Sequence, residues 1–293
     1  MPISPISVDD WCARAQYFEF RNYKIAFWDS GEIKSKHDPL LLIHGYPTAS
    51  WDWSWLWDDL IKTRRVVVCD MLGFGLSGKP KSGYSIHLQA DLQDAFLTHL
   101  NIDTYDALVH DYGNTVGQEL LARRNENSAR AVLGRMCFLN GGLFPEQHRQ
   151  RPVQKLGVSP FGFVLPWLMN RKRFGKSFSE VFGPHTQPSE QELDGFWKLI
   201  CHNDGHKIFH KLLHYIADRR EHRERWVGAL QNSRVPIRLV DGGMDPVSGK
   251  HMYEYFREIV PNGEAVLLPE LGHYPHTEGP DQVLREITPF FSL

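Results

Sequence analysis

The sequence is poor in cysteine: Cys12, Cys69, Cys137 and Cys201 stand singly, with no CxxC pair and no spacing suited to a zinc site. That excludes a disulfide framework and leaves free thiols in a reducing compartment. Long apolar runs are also missing. The longest, "FGFVLPWLM" at 161–169, falls far short of the roughly 20 apolar residues a membrane-spanning helix needs. The N-terminal "MPISPISVDDWCARA" has neither the basic start nor the apolar core of a signal peptide, so a cytoplasmic location is expected. Charge of one sign is lacking too: 33 basic residues face 35 acidic ones, for a net charge of −2. Nothing in that total asks for a nucleic acid or an anionic membrane as partner. A small hydrophobic molecule and water fit the composition better, with the chain a monomer or homodimer.

Short β-rich runs alternating with amphipathic segments are plentiful. "YFEF" and "YKIAFW" read as a hairpin, and "PLLLIHG", "RRVVVCD", "YDALVH", "GRMCFLN", "VPIRLVDG" and "EAVLLPE" as strands buried on both faces. Helical patterns such as "LQADLQDAFLTHL" and "GQELLARR" lie between them, which predicts an α/β fold with a mostly parallel sheet of eight strands flanked by helices. The alternation stops between about 143 and 232, where the chain turns helical, proline-punctuated and aromatic. An insertion there reads as a helical cap over the C-terminal edge of the sheet. The expected organisation is a first core segment 1–142, a cap 143–232 and a second core segment 233–293.

One absence directs the chemistry. "VHDYGNTVG" at 109–117 follows a strand and precedes a helix, with glycines bracketing the turn, as in the elbow on which many hydrolases present a nucleophilic serine. The tip holds Asp111 instead. Asp245 in "VDGGMDPVSG" and His273 in "LPELGHYPHTEGP" stand after two later strands. The chain order is therefore nucleophile, orienting acid, base.

With "HGYPTASWDW" at 44–53 and "DMLGFGLSGKP" at 70–80, these motifs resemble the α/β-hydrolase fold over nearly the whole chain. An aspartate in "VHDYG" resembles the branch of epoxide hydrolases and haloalkane dehalogenases. "NGGLFPEQHR", "VFGPHTQPSE" and "RERWVGAL" are similar to the mesoderm-specific transcript group within it. The resemblance implies a cofactor-free, metal-free hydrolase with Asp111, Asp245 and His273 as its triad, and the backbone N–H groups of Tyr46 and Tyr112 as oxyanion donors.

Elementary chemistry narrows the reaction. A carboxylate attacking an ordinary ester would form an anhydride while expelling a poor alkoxide leaving group, whereas attack on a saturated carbon gives a covalent enzyme ester. His273 then activates water against that ester, with Asp245 fixing its tautomer. Dehalogenases of the branch provide a Trp after the nucleophile and an Asn or second Trp elsewhere; here Tyr112 and Tyr46 occupy the corresponding slots. Epoxide hydrolases supply two cap tyrosines, and between 143 and 232 the sequence has one, Tyr215 in "KLLHYIADRR". It would share an apolar helix flank with Ile208, Leu212 and Ile216. His148 and His185 are the candidates for a second proton donor. The expected activity is epoxide hydrolysis to a diol, with haloalkane or lactone hydrolysis as the alternative and a non-catalytic binding protein as the rival of another class.

Other features are expected to be structural. His44 braces the oxyanion loop and His110 packs behind the elbow. His276 is a surface neighbour, and "RREHRER" at 219–225 is a solvated helix face. The histidines at 202, 206, 210 and 214 are kept from forming a ladder by the Asn-Asp-Gly turn in "HNDGH". The tryptophans at 51, 53, 55 and 57 mostly pack.

Overall fold

Two residues in left-handed backbone, Arg21 and Asn22 (φ 48° and 65°), turn the first strand β1 (Gln16–Phe20) back onto β2 (Tyr23–Asp29). This is the tight hairpin whose twist matches that of its strands. In the computed structural model, which describes residues 1–81 and 83–292, six further strands complete one sheet: β3 (Leu40–Ile43), β4 (Val66–Cys69), β5 (Thr104–Val109), β6 (Val132–Phe138), β7 (Ile237–Gly242) and β8 (Glu264–Leu268). Leu293, the end of the expected second core segment, lies outside the described residues. The strand order is β1-β2-β4-β3-β5-β6-β7-β8, with β2 antiparallel to both of its neighbours, β1 and β4, and every other pairing parallel. The central runs "LLLI" and "VVVC" are buried throughout because helices cover both faces of the sheet.

From β3 the chain goes to one side, to β4, and then returns to the other side, to β5. Loops that leave β3 and β5 therefore part in opposite directions and open a crevice at the C-terminal ends of these strands, the usual place for a ligand in a doubly wound sheet. His44–Tyr46 follows β3 and Asp111 follows β5, so both reach that crevice; the His110 N–H donates to the Ile43 carbonyl at 3.0 Å.

Between β6 and β7 lie seven α-helices: Pro152–Gly157, Leu165–Leu168, Arg171–Ser179, Glu190–Cys201, Phe209–Leu212, Tyr215–Glu221 and Arg223–Gln231. The histidine series is broken as expected, since Asn203 and Asp204 have φ of 49° and 60° and no helix runs through them. The run 219–225 is a solvated face only in part: Arg220, Glu221 and Glu224 are exposed, but its other cations are drawn inward. Arg219 is buried, and Arg225 and Trp226 donate to Glu119 Oε2 at 2.7 and 2.9 Å, which seats Arg223–Gln231 along Tyr112–Asn125. Alternating charge in sequence cannot distinguish a solvated helix from one whose cations reach a buried carboxylate. Burial alone would raise the pKa of Glu119, but its bonds from Arg225, Trp226 and Arg123 outweigh that and hold it down to about 2.

Candidate active site

Asp111 sits between β5 and the helix Tyr112–Asn125 with φ 48° and ψ −105°, a conformation that costs a non-glycine residue roughly 1–3 kcal/mol. Its surroundings impose it. The Asp111 N–H donates to the Asn140 carbonyl at 2.8 Å, and the Gly113 N–H to the His110 carbonyl at 2.8 Å. The Arg219 Nη2 reaches the Asp111 carbonyl at 3.3 Å. Two glycines allow the close approach: a Cβ on Gly113 would lie 2.5 Å from the Ile43 carbonyl oxygen, and one on Gly45 would lie 2.9 Å from the Asp111 Cβ. The side chain is thereby presented at the crevice, and one of its oxygens is already engaged. The Tyr46 N–H donates to Asp111 Oδ2 at 3.0 Å. Tyr112 is the first residue of its helix, where an N–H has no intrahelical acceptor and the helix dipole favours negative charge.

His273 follows β8, its own N–H held by the Val181 carbonyl at 2.8 Å. Its Nδ1 is 2.7 Å from Asp245 Oδ2 and its Nε2 is 3.7 Å from Asp111 Oδ1, so the ring stands between the two carboxylates. Asp245 also accepts from the Val247 N–H at 2.7 Å, from the Ser248 hydroxyl at 2.7 Å and from Asn140 Nδ2 at 3.1 Å. Although burial opposes its charge, the His273 partnership and these bonds hold its carboxyl below the usual carboxylate range. For His273 burial works toward the neutral form, but the charge and hydrogen bond of Asp245, joined by the charge of Asp111, prevail and push it up to about 9. The imidazolium is the resting form at neutral pH.

Histidines brace this arrangement from behind. His44 accepts from the Met71 N–H at 3.0 Å, which fixes the loop carrying Tyr46, and His110 Nε2 lies 2.8 Å from the His273 carbonyl. His276 is not at the surface: it is fully buried, stacked on Trp53 with ring centres 4.6 Å apart, and 4.6 Å from the His110 ring. A helical turn, Pro275–Glu278, carries it inward under the loop, which its polar sequence context does not disclose. Burial lowers the pKa of His110 and takes that of His276 down to about 3. Among the described residues, Asp52, His110 and His276 are the one group whose types and spacing could hold a metal ion. No triad residue belongs to it.

The carboxylate and imidazole open into a cavity of about 360 Å³. Its wall is mainly apolar, with Leu156, Leu165, Phe174, Phe178, Val181 and Phe209 from the segment between β6 and β7. Two phenols line it, Tyr46 and Tyr274, and no tryptophan or asparagine does among the described residues. The Tyr274 hydroxyl is committed to the Tyr46 carbonyl at 3.3 Å. Tyr215 is one layer back: fully buried, with its ring centre 4.9 Å from that of Tyr112 and 6.4 Å from that of Tyr46, and with a hydroxyl that meets no described partner. His148 lies behind Arg219, 3.1 Å from its Nη1. Burial, joined by that guanidinium, takes its pKa down to about 3. His185 is exposed and does not line the cavity, which removes it as a donor. The loop carrying it leaves the helix Arg171–Ser179 on the outside of the molecule.

Asp111, Asp245 and His273, the residues expected as a triad, are thus brought together with the Tyr46 N–H, while the three expected proton donors are not at the wall. The side chain of Tyr46 takes that place. Its position in "HGYP" was the available signal, since the residue after that glycine enters the crevice with both its N–H and its side chain. Arg219 and Asn140, which hold the elbow and Asp245, carried no signal of their own.

The alpha/beta hydrolase family model matches residues 40–286. The mesoderm-specific transcript homolog protein of Bos taurus is 39% identical over 290 residues, covering 95% of this chain and 85% of the relative. The putative hydrolase LipZ of Mycobacterium tuberculosis is 38% identical over 242 residues, covering 82% and 84%. The structure of the epoxide hydrolase CorEH superposes with a TM-score of 0.77 at 18% identity, covering 95% of this chain and 98% of the other, a likeness of fold. From its first parallel strand to its last helix, the chain belongs to the alpha/beta hydrolase family.

Proposed function

We propose that this hydrolase forms a covalent alkyl ester on Asp111 and that its substrates are epoxides. The observation that carries the reading is a carboxylate, not a hydroxyl, at the tip of the elbow, facing an apolar cavity whose lining includes a phenol with no described hydrogen-bond acceptor, Tyr46. Oδ2 is held by the Tyr46 N–H, so Oδ1 is the attacking atom. As Oδ1 bonds to a ring carbon, the carbon–oxygen bond of the epoxide breaks and the released oxygen takes the Tyr46 phenolic proton. A halide would need no proton, and among the described residues no tryptophan or asparagine lines the cavity to hold one. The same phenol would serve a strained lactone.

Alkylation removes the charge of Asp111, one of the causes that raise the His273 pKa, so the imidazole loses its proton more readily when a base is required. It then takes a proton from water as the water oxygen bonds to Asp111 Cγ. The negative charge passes to Oδ2, where the N–H groups of Tyr46 and Tyr112 receive it at about 3 kcal/mol each. Collapse expels the product alkoxide, which takes the proton from His273, and the proton of the regenerated Asp111 carboxyl passes to the Tyr46 phenolate, so that carboxylate and phenol are both restored.

The test is the mass of His273→Gln after brief exposure to separate epoxides and haloalkanes. Without the base the ester accumulates, and an epoxide is expected to add its whole mass to the peptide containing Asp111. An adduct on another peptide, or adducts from haloalkanes alone, would overturn the assignment.

A further inference from the structure

The run "FGFVLPWLM", too short to cross a membrane, folds into a helical corner that leaves its largest side chains uncovered. Phe161 is 66% exposed, Phe163 60% and Trp167 88%, with Val158 and Leu168 also exposed. Single exposed apolar residues are ordinary, but five within eleven positions form a patch that usually marks a contact surface. It is continuous with the cavity, because Leu168 belongs to both.

The near-neutral total charge conceals what surrounds this patch. Residues 149–179 hold seven Lys and Arg and no Asp or Glu. Arg151 and Arg171 are paired, with Glu180 and with Glu190 and Asp194 respectively, and Lys172 and Lys176 lie beside Glu190 and Asp194 on the helix face away from the cavity, whereas Lys155 extends into solvent and the exposed Arg173 stands at the cavity itself. We infer that this corner docks the protein on an anionic lipid surface, with Phe161, Phe163 and Trp167 entering the headgroup layer, Lys155 and Arg173 on the phosphates and the cavity mouth turned toward the lipid. Aromatic side chains beside a cluster of cations are the composition that binds such an interface, and each basic residue near it strengthens binding about fivefold. A second copy of the chain is the poorer occupant, since a two-fold contact would set the same two cations against each other. The inference does not rest on the identity of the nucleophile, because binding is read without turnover.

The experiment is sedimentation of the full chain with vesicles of phosphatidylcholine alone and of an equimolar mixture with phosphatidylserine, together with tryptophan emission. Eight of the nine tryptophans are buried or half-buried, so a blue shift on binding reports Trp167. Binding to the mixed vesicles with a blue shift is expected. The variant F161S/F163S/W167S should weaken sedimentation by roughly tenfold or more, F161S/F163S should lose the blue shift of the retained Trp167, and K155E/R173E should lose the gain due to phosphatidylserine. All these side chains are exposed, so thermal unfolding should be unchanged. No sedimentation with either vesicle, equal binding by the aromatic variant, or a wild-type dimer that the aromatic variant abolishes would each overturn the proposal.

Discussion

The charge of Asp111 helps to set that of His273, and the consequence can be measured at the residue. Asp111→Asn keeps the shape and removes the anion, so turnover should fall by several orders of magnitude in a folded protein. Because the negative charge of Asp111 is one of the causes that raise His273, the same substitution should lower the imidazole pKa from about 9, an effect visible by NMR titration. An unchanged titration would mean that Asp245 alone sets it. Tyr46→Phe leaves the backbone N–H in place and deletes the phenol. Alkylation by an epoxide should slow by about 10² to 10⁴, the usual range for general acid catalysis, while hydrolysis of a preformed ester stays close to normal. Tyr215→Phe, one layer behind, should change alkylation less than Tyr46→Phe; the reverse ranking in pre-steady-state rates would restore Tyr215 as the donor. The expected triad was legible because each member follows a strand and is punctuated by glycine or proline, although the strand before His273 is an edge strand and mostly half-buried. The wall of the cavity was not, because which of several tyrosines faces a void depends on how the helices between β6 and β7 settle.

At the scale of one element, the helix Tyr215–Glu221 shows what periodicity can and cannot tell. Of the apolar flank expected around it, Leu212, Tyr215 and Ile216 are buried while Ile208, in an earlier separate turn, is half-buried, and Asp218 and Arg219 point inward as well. Asp218 accepts from the Ile86 N–H at 3.1 Å at the start of the helix Ile86–His99. Arg219 donates to the Thr115 hydroxyl at 2.7 Å and lies 4.5 Å over the Tyr215 ring. A charged residue read from sequence is assigned to water by default; only the distance between this helix and the elbow shows that it has acceptors inside. Arg219→Met should keep most of the packing and lose these bonds, at a cost of about 1.5–3 kcal/mol in unfolding free energy. It should also reduce turnover, because the elbow carbonyl loses a donor. Denaturant unfolding that matches the wild type would show that the guanidinium contributes nothing.

The histidines give the whole molecule a pH profile of stability whose two sides have different origins. His110, His148 and His276 are held neutral by burial, so the unfolded chain gains protons that the folded one refuses as pH falls below the ordinary histidine value of 6.5. Stability should therefore decline on the acid side. His273 is shifted the other way: its contribution is complete below 6.5 and is lost as pH rises toward about 9. The melting temperature should peak near neutrality, and His273→Gln should flatten the alkaline side while leaving the acid side intact. A melting temperature that keeps rising through pH 9 would contradict this. The fold was the most legible feature at this scale, since eight strands with buried runs leave few arrangements and the parallel crossovers fix the crevice at their C-terminal ends.

The bond from the Tyr46 N–H to Asp111 Oδ2 makes the two carboxylate oxygens distinguishable, and isotopes can read the distinction. In water enriched in ¹⁸O, the first diol released should carry the light oxygen that Asp111 donates. Water fills the place of Oδ1, and every later diol should be heavy. Since Oδ2 stays on its donor and never becomes the ester oxygen, the Asp111 peptide should take up one heavy oxygen however many turnovers pass. Uptake of two would mean that the carboxylate rotates between cycles and that the hydrogen bond does not outlast the reaction.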